Sequence, residues 1–146
     1  MHLIILNDRY EVLLTYQYRH GAQIESLEFP CGEIEPGESP EVTAKRELME
    51  ETGYAVHTIN TVGSFYSNPA RQTNRAYTLL GTGAYLVAEQ KLDDSESIKF
   101  GFFSIAELEH FITTGQFSQG LHIGSWYQVL KLSPVDIQKE IRRCSL

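Results

Sequence analysis

Between Gly32 and Tyr54 the chain reads GEIEPGESPEVTAKRELMEETGY, and within it Ser39 to Thr52 is predicted as a helix with both ends written in local chemistry. Ser39 can accept from the free backbone N–H groups of the first turn, and Pro40 suits the first helical position. Gly53 can adopt the left-handed conformation that stops the helix. At 3.6 residues per turn Glu47, Glu50 and Glu51 project from one face, with Val42, Leu48 and Met49 expected on the opposite, packed face. Carboxylates this close repel by about 0.2–0.5 kcal/mol per exposed pair. A hard divalent cation would remove the conflict, since magnesium takes oxygen ligands from carboxylates and phosphates. A solvated acidic face has the same spacing, so the helix alone leaves both readings open.

With 146 residues the chain is long enough for one well-buried core and short for two, which predicts one domain over 1–146. A net charge of -7 argues against an open DNA- or RNA-binding surface, which needs clustered Lys and Arg. It leaves room for a small nucleotide, because a metal and a few arginines can reverse the field inside a cleft. No apolar run reaches membrane-spanning length, and the start, MHLIILNDRYEV, lacks the pattern of a secretory signal. Cys31 and Cys144 suggest neither a disulfide framework nor a zinc cluster, so reduced thiols in a cytoplasmic protein are expected.

Leu3–Leu6 and Glu11–Tyr18 read as strands flanking a turn at Asn7–Arg9, a hairpin that leaves Arg19 at a strand end. Arg19 there suits either a surface ion pair or a phosphate contact. Leu27–Pro30 reads as a brief strand entering the Gly32–Gly37 loop, Ala55–Phe65 as a strand, and 67–74 as a polar loop. Arg75–Ala88 follows as a long strand, bulged around Gly81–Gly83. Ile98–Phe103 is a last strand, followed by helices at Ala106–Thr114, Leu121–Leu132 and from Ser133-Pro134 through Arg143. Trp126 is expected in the core.

The whole stretch from Gly32 through Glu38, Arg46-Glu47-Leu48, Glu50-Glu51, Gly53 and Tyr54 resembles the Nudix box at each specified position. The preceding LEFPCG, with Gln17-Tyr18-Arg19, is similar to the branch of that hydrolase family that cleaves ADP-ribose and nucleoside diphosphate sugars. The resemblance implies an α/β fold, a Nudix-type alpha/beta/alpha sandwich around a mixed sheet, and hydrolysis of a diphosphate linkage with Mg2+ or Mn2+. It implies metal contacts from Glu38, Glu47, Glu50, Glu51 and the carbonyl of Cys31. Substrate contacts are expected from Arg19, Glu28, Arg71 and Arg75. It makes Glu51 a ligand or base, and gives a second candidate base in the acidic run at Glu96, with Asp94 next. Arg46 stays protonated and so is expected to hold carboxylates rather than accept a proton. The expected partner is a small nucleotide or nucleotide sugar.

Two alternatives stand beside this reading: a house-cleaning nucleoside triphosphate pyrophosphatase and a nucleotide-binding protein without turnover. Many ADP-ribose hydrolases of the family carry an added N-terminal sheet exchanged between subunits. Here Leu3–Leu6 is already a core strand, so a homodimer is expected to form, if at all, through another surface.

Overall fold

The computed structural model describes residues 1–92 and 97–145. Leu3, Ile4, Ile5 and Leu6 are all fully buried in strand β1, His2–Leu6. Such an unbroken apolar run belongs to a strand covered on both faces. Leu3 and Ile5 face one layer with Leu13, Leu79, Ala44 and Leu48, while Ile4 and Leu6 face the other with Val12, Leu14, Leu80, Trp126 and Val129. Each fully buried aliphatic side chain contributes about 1.5–3 kcal/mol relative to exposure.

The remaining strands are β2 (Val12–Arg19), β3 (Ile24–Glu28), β4 (Tyr54–Tyr66), β5 (Arg75–Leu86) and β6 (Ile98–Phe103). β1 runs parallel to β5 from His2↔Thr78 to Leu6↔Thr82, and β5 pairs antiparallel with β4. β2 takes β3 on one edge and β6 on the other. The sheet is therefore mixed. The expected β1–β2 hairpin is present only at its turn, with one register pair, Leu6↔Val12. Beyond it the two strands diverge, because β1 finds a longer partner in β5 and β2 in β3 and β6.

Helix α1 (Pro40–Thr52) covers one face of the sheet; α2 (Ile105–Thr113), α3 (Gly120–Leu132) and α4 (Val135–Cys144) cover the other. This is the expected α/β sandwich. The ends of α1 are as predicted: Ser39 Oγ accepts from Val42 N at 3.3 Å, and Gly53 is left-handed at φ 73°. Its packed face is not. Of the three residues expected there only Leu48 is buried; Val42 and Met49 are exposed, and the helix buries Thr43, Ala44, Glu51 and Thr52 beside Leu48. Within the helix the Thr52 hydroxyl donates to Leu48 O at 2.5 Å, which satisfies that buried group. β5 is locally irregular at Gly83, which sits at φ 68°, while the shift in register lies in β4, between Thr61 and Gly63.

Gly53 also accepts at its carbonyl from Val87 N and Ala88 N, which seats the end of β5 on the end of α1. A Cβ there would lie 2.1 Å from Ala88 O. Gly53→Ala should therefore cost about 2 kcal/mol or more, the left-handed backbone (about 1–2 kcal/mol) and the backbone clash acting together, lowering Tm by roughly 5–10 °C. Thermal unfolding followed by circular dichroism checks this, and a Tm within a degree or two of the parent would contradict it.

Candidate active site

The last two turns of α1 form one wall of a cavity of about 410 Å³, lined by Glu35, Arg46, Glu47, Glu50, Glu51 and Lys91. Glu47, Glu50 and Glu51 meet there because they are spaced at i, i+3 and i+4 on one helix. Their environments differ sharply. Glu51 is buried at 6 % exposure, whereas the side chains of Glu47 and Glu50 are 18 % and 47 % exposed. Arg46 is the internal counter-charge, 3.2 Å from Glu47, 3.0 Å from Glu50 and 3.6 Å from Glu38. Glu38 also accepts from the Thr43 hydroxyl at 2.6 Å, which fixes the loop before the helix to its first turns.

The segment after β5 closes one side of this cavity: Lys91 N donates to Glu50 O, and the Gln90 amide donates to Glu51 O and Ile98 O. Glu96 and Asp94, the expected carboxylates of the acidic run, lie outside the described residues. On another side Gly32 abuts Glu47, with no space for a side chain; a Cβ would lie 2.3 Å from Glu47 Cδ. Gly32 N donates to Met1 O and Leu3 N to Pro30 O, which ties the glycine loop to β1.

Arg19, the last residue of β2, and Glu28, the last of β3, stand at opposite ends of the antiparallel ladder, and their side chains reach each other. The guanidinium donates from Nε to Oε1 at 3.0 Å and from Nη2 to Oε2 at 2.5 Å, and Nη2 also donates to Cys31 Sγ at 3.4 Å. Glu28 is buried at 1 % exposure, and its paired hydrogen bonds raise the Arg19 pKa above its ordinary value. Both residues line a second cavity of about 530 Å³ with His20, Ile24, Ser118 and Gly120. Arg71 and Arg75 lie in and beside the exposed β4–β5 turn. Arg75 donates to Ser64 Oγ at 2.6 Å and sits over the Tyr66 ring, and neither arginine lines these two cavities.

Cys31 stands between the two regions. Burial, the Glu51 charge and Glu28 push its thiol up to about 11 against the pull of Arg19, so it is a protonated thiol at neutral pH. Glu28, Cys31 and His122 bring a carboxylate oxygen, Sγ and a ring nitrogen within 4.8 Å of one another, a candidate metal-binding cluster consistent with use of a divalent cation. The donors lining the first cavity are hard carboxylate oxygens that suit magnesium or manganese, whereas S and N donors suit softer ions. Sequence spacing gave no sign of His122, which reaches this region from α3 across 93 residues to its partner Phe29. His122 and its neighbour His2 are both held neutral, with pKa values lowered to about 3. Burial is the main cause in each; the neighbouring His122 adds to it at His2, and the Arg19 charge at His122.

Comparison with known proteins places this geometry. The NUDIX domain family matches residues 1–121. An ADP-ribose pyrophosphatase from Bacillus subtilis (strain 168) is 30% identical over 98 residues, covering 66% of this chain and 53% of that protein. A mouse (Mus musculus) ADP-sugar pyrophosphatase is 58% identical over 43 residues, covering 30% of this chain and 20% of its own. An 8-oxo-dGTP diphosphatase from Escherichia coli (strain K12) is 44% identical over 50 residues, covering 34% and 39%. The chain spans about half the length of the ADP-ribose pyrophosphatase it matches. Among solved structures, a NUDIX hydrolase from Nitrosomonas europaea superposes with TM-score 0.68 at 26% identity, covering 93% of this chain and 91% of that one. The crystal structure of an ADP compounds hydrolase superposes with TM-score 0.78 at 20% identity, covering 88% and 68%, a likeness of fold.

Proposed function

Because the chain belongs to the NUDIX family, we propose that it hydrolyses the diphosphate linkage of a nucleotide substrate, with ADP-ribose or another nucleoside diphosphate sugar as the preferred class. The observation that carries this reading is the glutamate-walled cavity at the end of α1, separated by Cys31 from the Arg19–Glu28 pair and the second cavity. A diphosphate needs cationic and metal-binding surface at its centre and room on either side. Glu47, Glu50 and Glu51 would hold Mg2+ or Mn2+, with Glu38 and the Cys31 carbonyl as the further ligands the box implies. Such an ion neutralises phosphate oxygens and lowers the pKa of water.

The chain's own groups do the positioning. Arg46 sets the Glu47 and Glu50 carboxylates and offsets part of their repulsion. Arg19 uses Nε and Nη2 on Glu28 and Cys31, so Nη1 is the edge it offers to a phosphate. The second cavity beside it provides space for a group beyond the diphosphate. Glu51, the most buried carboxylate of the set, is best shielded for accepting a proton from the attacking water. For ADP-ribose the products are AMP and ribose 5-phosphate.

The run EFPCGEIEPGE and the ADP-ribose and ADP-sugar pyrophosphatase relatives support the sugar-nucleotide class. The likeness to an 8-oxo-dGTP diphosphatase supports triphosphate hydrolysis as the second reading. Product analysis by ion-exchange chromatography separates them, using ADP-ribose, ADP-glucose, UDP-glucose, dGTP and 8-oxo-dGTP with magnesium. A nucleoside monophosphate and a sugar phosphate are expected as the fastest-formed products. Faster release of pyrophosphate from a triphosphate would reject the preferred class.

The contact between Gly32 and Glu47 gives an internal check. In Gly32→Ala the new methyl must displace Glu47. The expected result is a kcat/KM about 10- to 100-fold lower and a higher magnesium concentration for half-maximal rate, with a folded chain. Parent-like metal dependence would show that Glu47 does not act where it is placed.

A further inference from the structure

His122 is 2 % exposed near the start of α3, yet its interactions are with the loop that leads to the glutamate cavity. The last β2–β3 register pair is Thr15↔Glu28, so the Phe29 N–H lies just past the ladder. It donates to His122 Nδ1 at 3.0 Å. A neutral imidazole that accepts at Nδ1 carries its proton on Nε2. That Nε2 lies 3.9 Å from Glu28 Oε2, the oxygen that also accepts from Arg19 Nη2 at 2.5 Å. One ring thus holds the backbone immediately after Glu28 and turns its N–H towards the Glu28 carboxylate.

The ring is itself fixed. It stacks on Phe29 with 5.9 Å between centroids and 5° between planes, lies 4.2 Å from His2, and packs against Phe117. His2 in turn shares a 2.7 Å hydrogen bond with Ser125 Oγ, one turn further along α3. The segment running on from Phe29 has little freedom before it reaches the site, since Pro30 and Gly32 are bonded to β1 and Gly32 touches Glu47. A shift at Phe29 therefore reaches Glu28 and Arg19 on one side and Gly32 on the other.

We propose that His122 is a positioning residue for the substrate site: its imidazole, protonated on Nε2, anchors Phe29 and faces Glu28, which sets the Arg19–Glu28 pair to present Arg19 to a substrate phosphate. This deepens the diphosphate-hydrolase reading and rests on it for its effect on turnover. It also defines the Glu28–Cys31–His122 cluster in this state. The guanidinium supplies the positive charge there, and the protonated Nε2 of His122 lies 3.9 Å from Glu28, beyond hydrogen-bond distance. A metal at Nε2 would require the opposite tautomer, and so the loss of the Phe29 bond.

The test uses nitrogen-15 NMR of the intact chain with steady-state kinetics on ADP-ribose for the parent, His122→Phe and His122→Asn. Phe keeps an aromatic ring without an acceptor, whereas the Asn carbonyl can replace Nδ1 as acceptor for Phe29 N–H. The proposal expects an Nε2–H tautomer in the parent. In His122→Phe it expects faster exchange of the Phe29 amide and a KM raised about tenfold with kcat within about threefold, because Arg19 binds ground and transition states alike. His122→Asn should restore the amide protection and bring KM to within about threefold of the parent. An Nδ1–H tautomer, a parent-like KM in His122→Phe, or no difference between the two variants would overturn it. If the parent hydrolyses no nucleotide offered, the activity reading fails, and the tautomer and the Phe29 exchange rates decide the positioning role by themselves.

Discussion

Rigorous chelation is expected to reduce hydrolysis of ADP-ribose to below about 1% of its rate, and magnesium or manganese to restore it, because transition-state charge at a diphosphate centre is neutralised chiefly by a bound cation. The glutamate cavity is the physical ground for so large an effect. Among the described residues, Glu35, Glu47, Glu50 and Glu51 line it with Arg46 and Lys91 as the cations. A substrate diphosphate entering such a field would be repelled by the same carboxylates that define the site. The ions that restore activity also discriminate between the two donor sets. Hard oxygen donors favour magnesium and manganese, whereas the Glu28, Cys31 and His122 donors favour zinc. Rescue by magnesium or manganese places the working ion among the glutamates. Undiminished turnover after chelation, checked against an unchanged circular dichroism spectrum, would reject metal-dependent hydrolysis outright.

The helix that organises this site was legible because its signals are local. Ser39, Pro40 and Gly53 act within one turn of their own backbone, and their effects do not depend on what packs nearby. The burial of α1 was less legible for the opposite reason. Val42, Leu48 and Met49 fit a helical apolar stripe, but of these only Leu48 faces the layer with Leu3, Ile5 and Leu79, where Ala44 packs beside it and Thr43 is buried. The strand partners of β1 and β2 depend on chain far downstream: Thr78–Thr82 for β1 and Ile98–Phe103 for β2. No local turn signal contains that information, so a turn with one paired rung looked like a full hairpin.

At the site the same distinction applies. Glu47, Glu50 and Glu51 share a helix face, and their meeting follows from helical geometry. Arg19 and Glu28 pair with Ile24 and Thr15 at opposite ends of the antiparallel β2–β3 ladder, and their long side chains meet along one face of it as a bidentate ion pair that neither residue's own sequence neighbourhood announces. His122 belongs to a third class. It arrives from α3, carries no spacing relation to the box, and is recognisable only once the fold puts its ring beside Phe29 and Glu28.

Glu51→Gln is expected to lower kcat by about 10²- to 10⁴-fold, a range that covers either loss of a general base or loss of a metal-binding carboxylate. The substitution nearly preserves shape, and it removes a charge from a side chain at 6 % exposure. The shape is kept, so the fold should persist; an unchanged Tm establishes that lost activity is chemical. Metal titration then separates the two roles. A ligand role predicts a large rise in the magnesium concentration for half-maximal rate, whereas a base role predicts little change in metal requirement and a persistently low kcat at saturation. Glu96→Gln and Asp94→Asn, measured in parallel, address the acidic run outside the described residues. A strong kcat loss in Glu96→Gln with metal dependence intact would assign the base to that run, leaving Glu51 the ligand role. Near-parent kcat in both of these variants, with a severe loss in Glu51→Gln at saturating metal, would place the proton acceptor on α1. Near-parent kcat in Glu51→Gln would exclude both roles for the most buried carboxylate of the cavity.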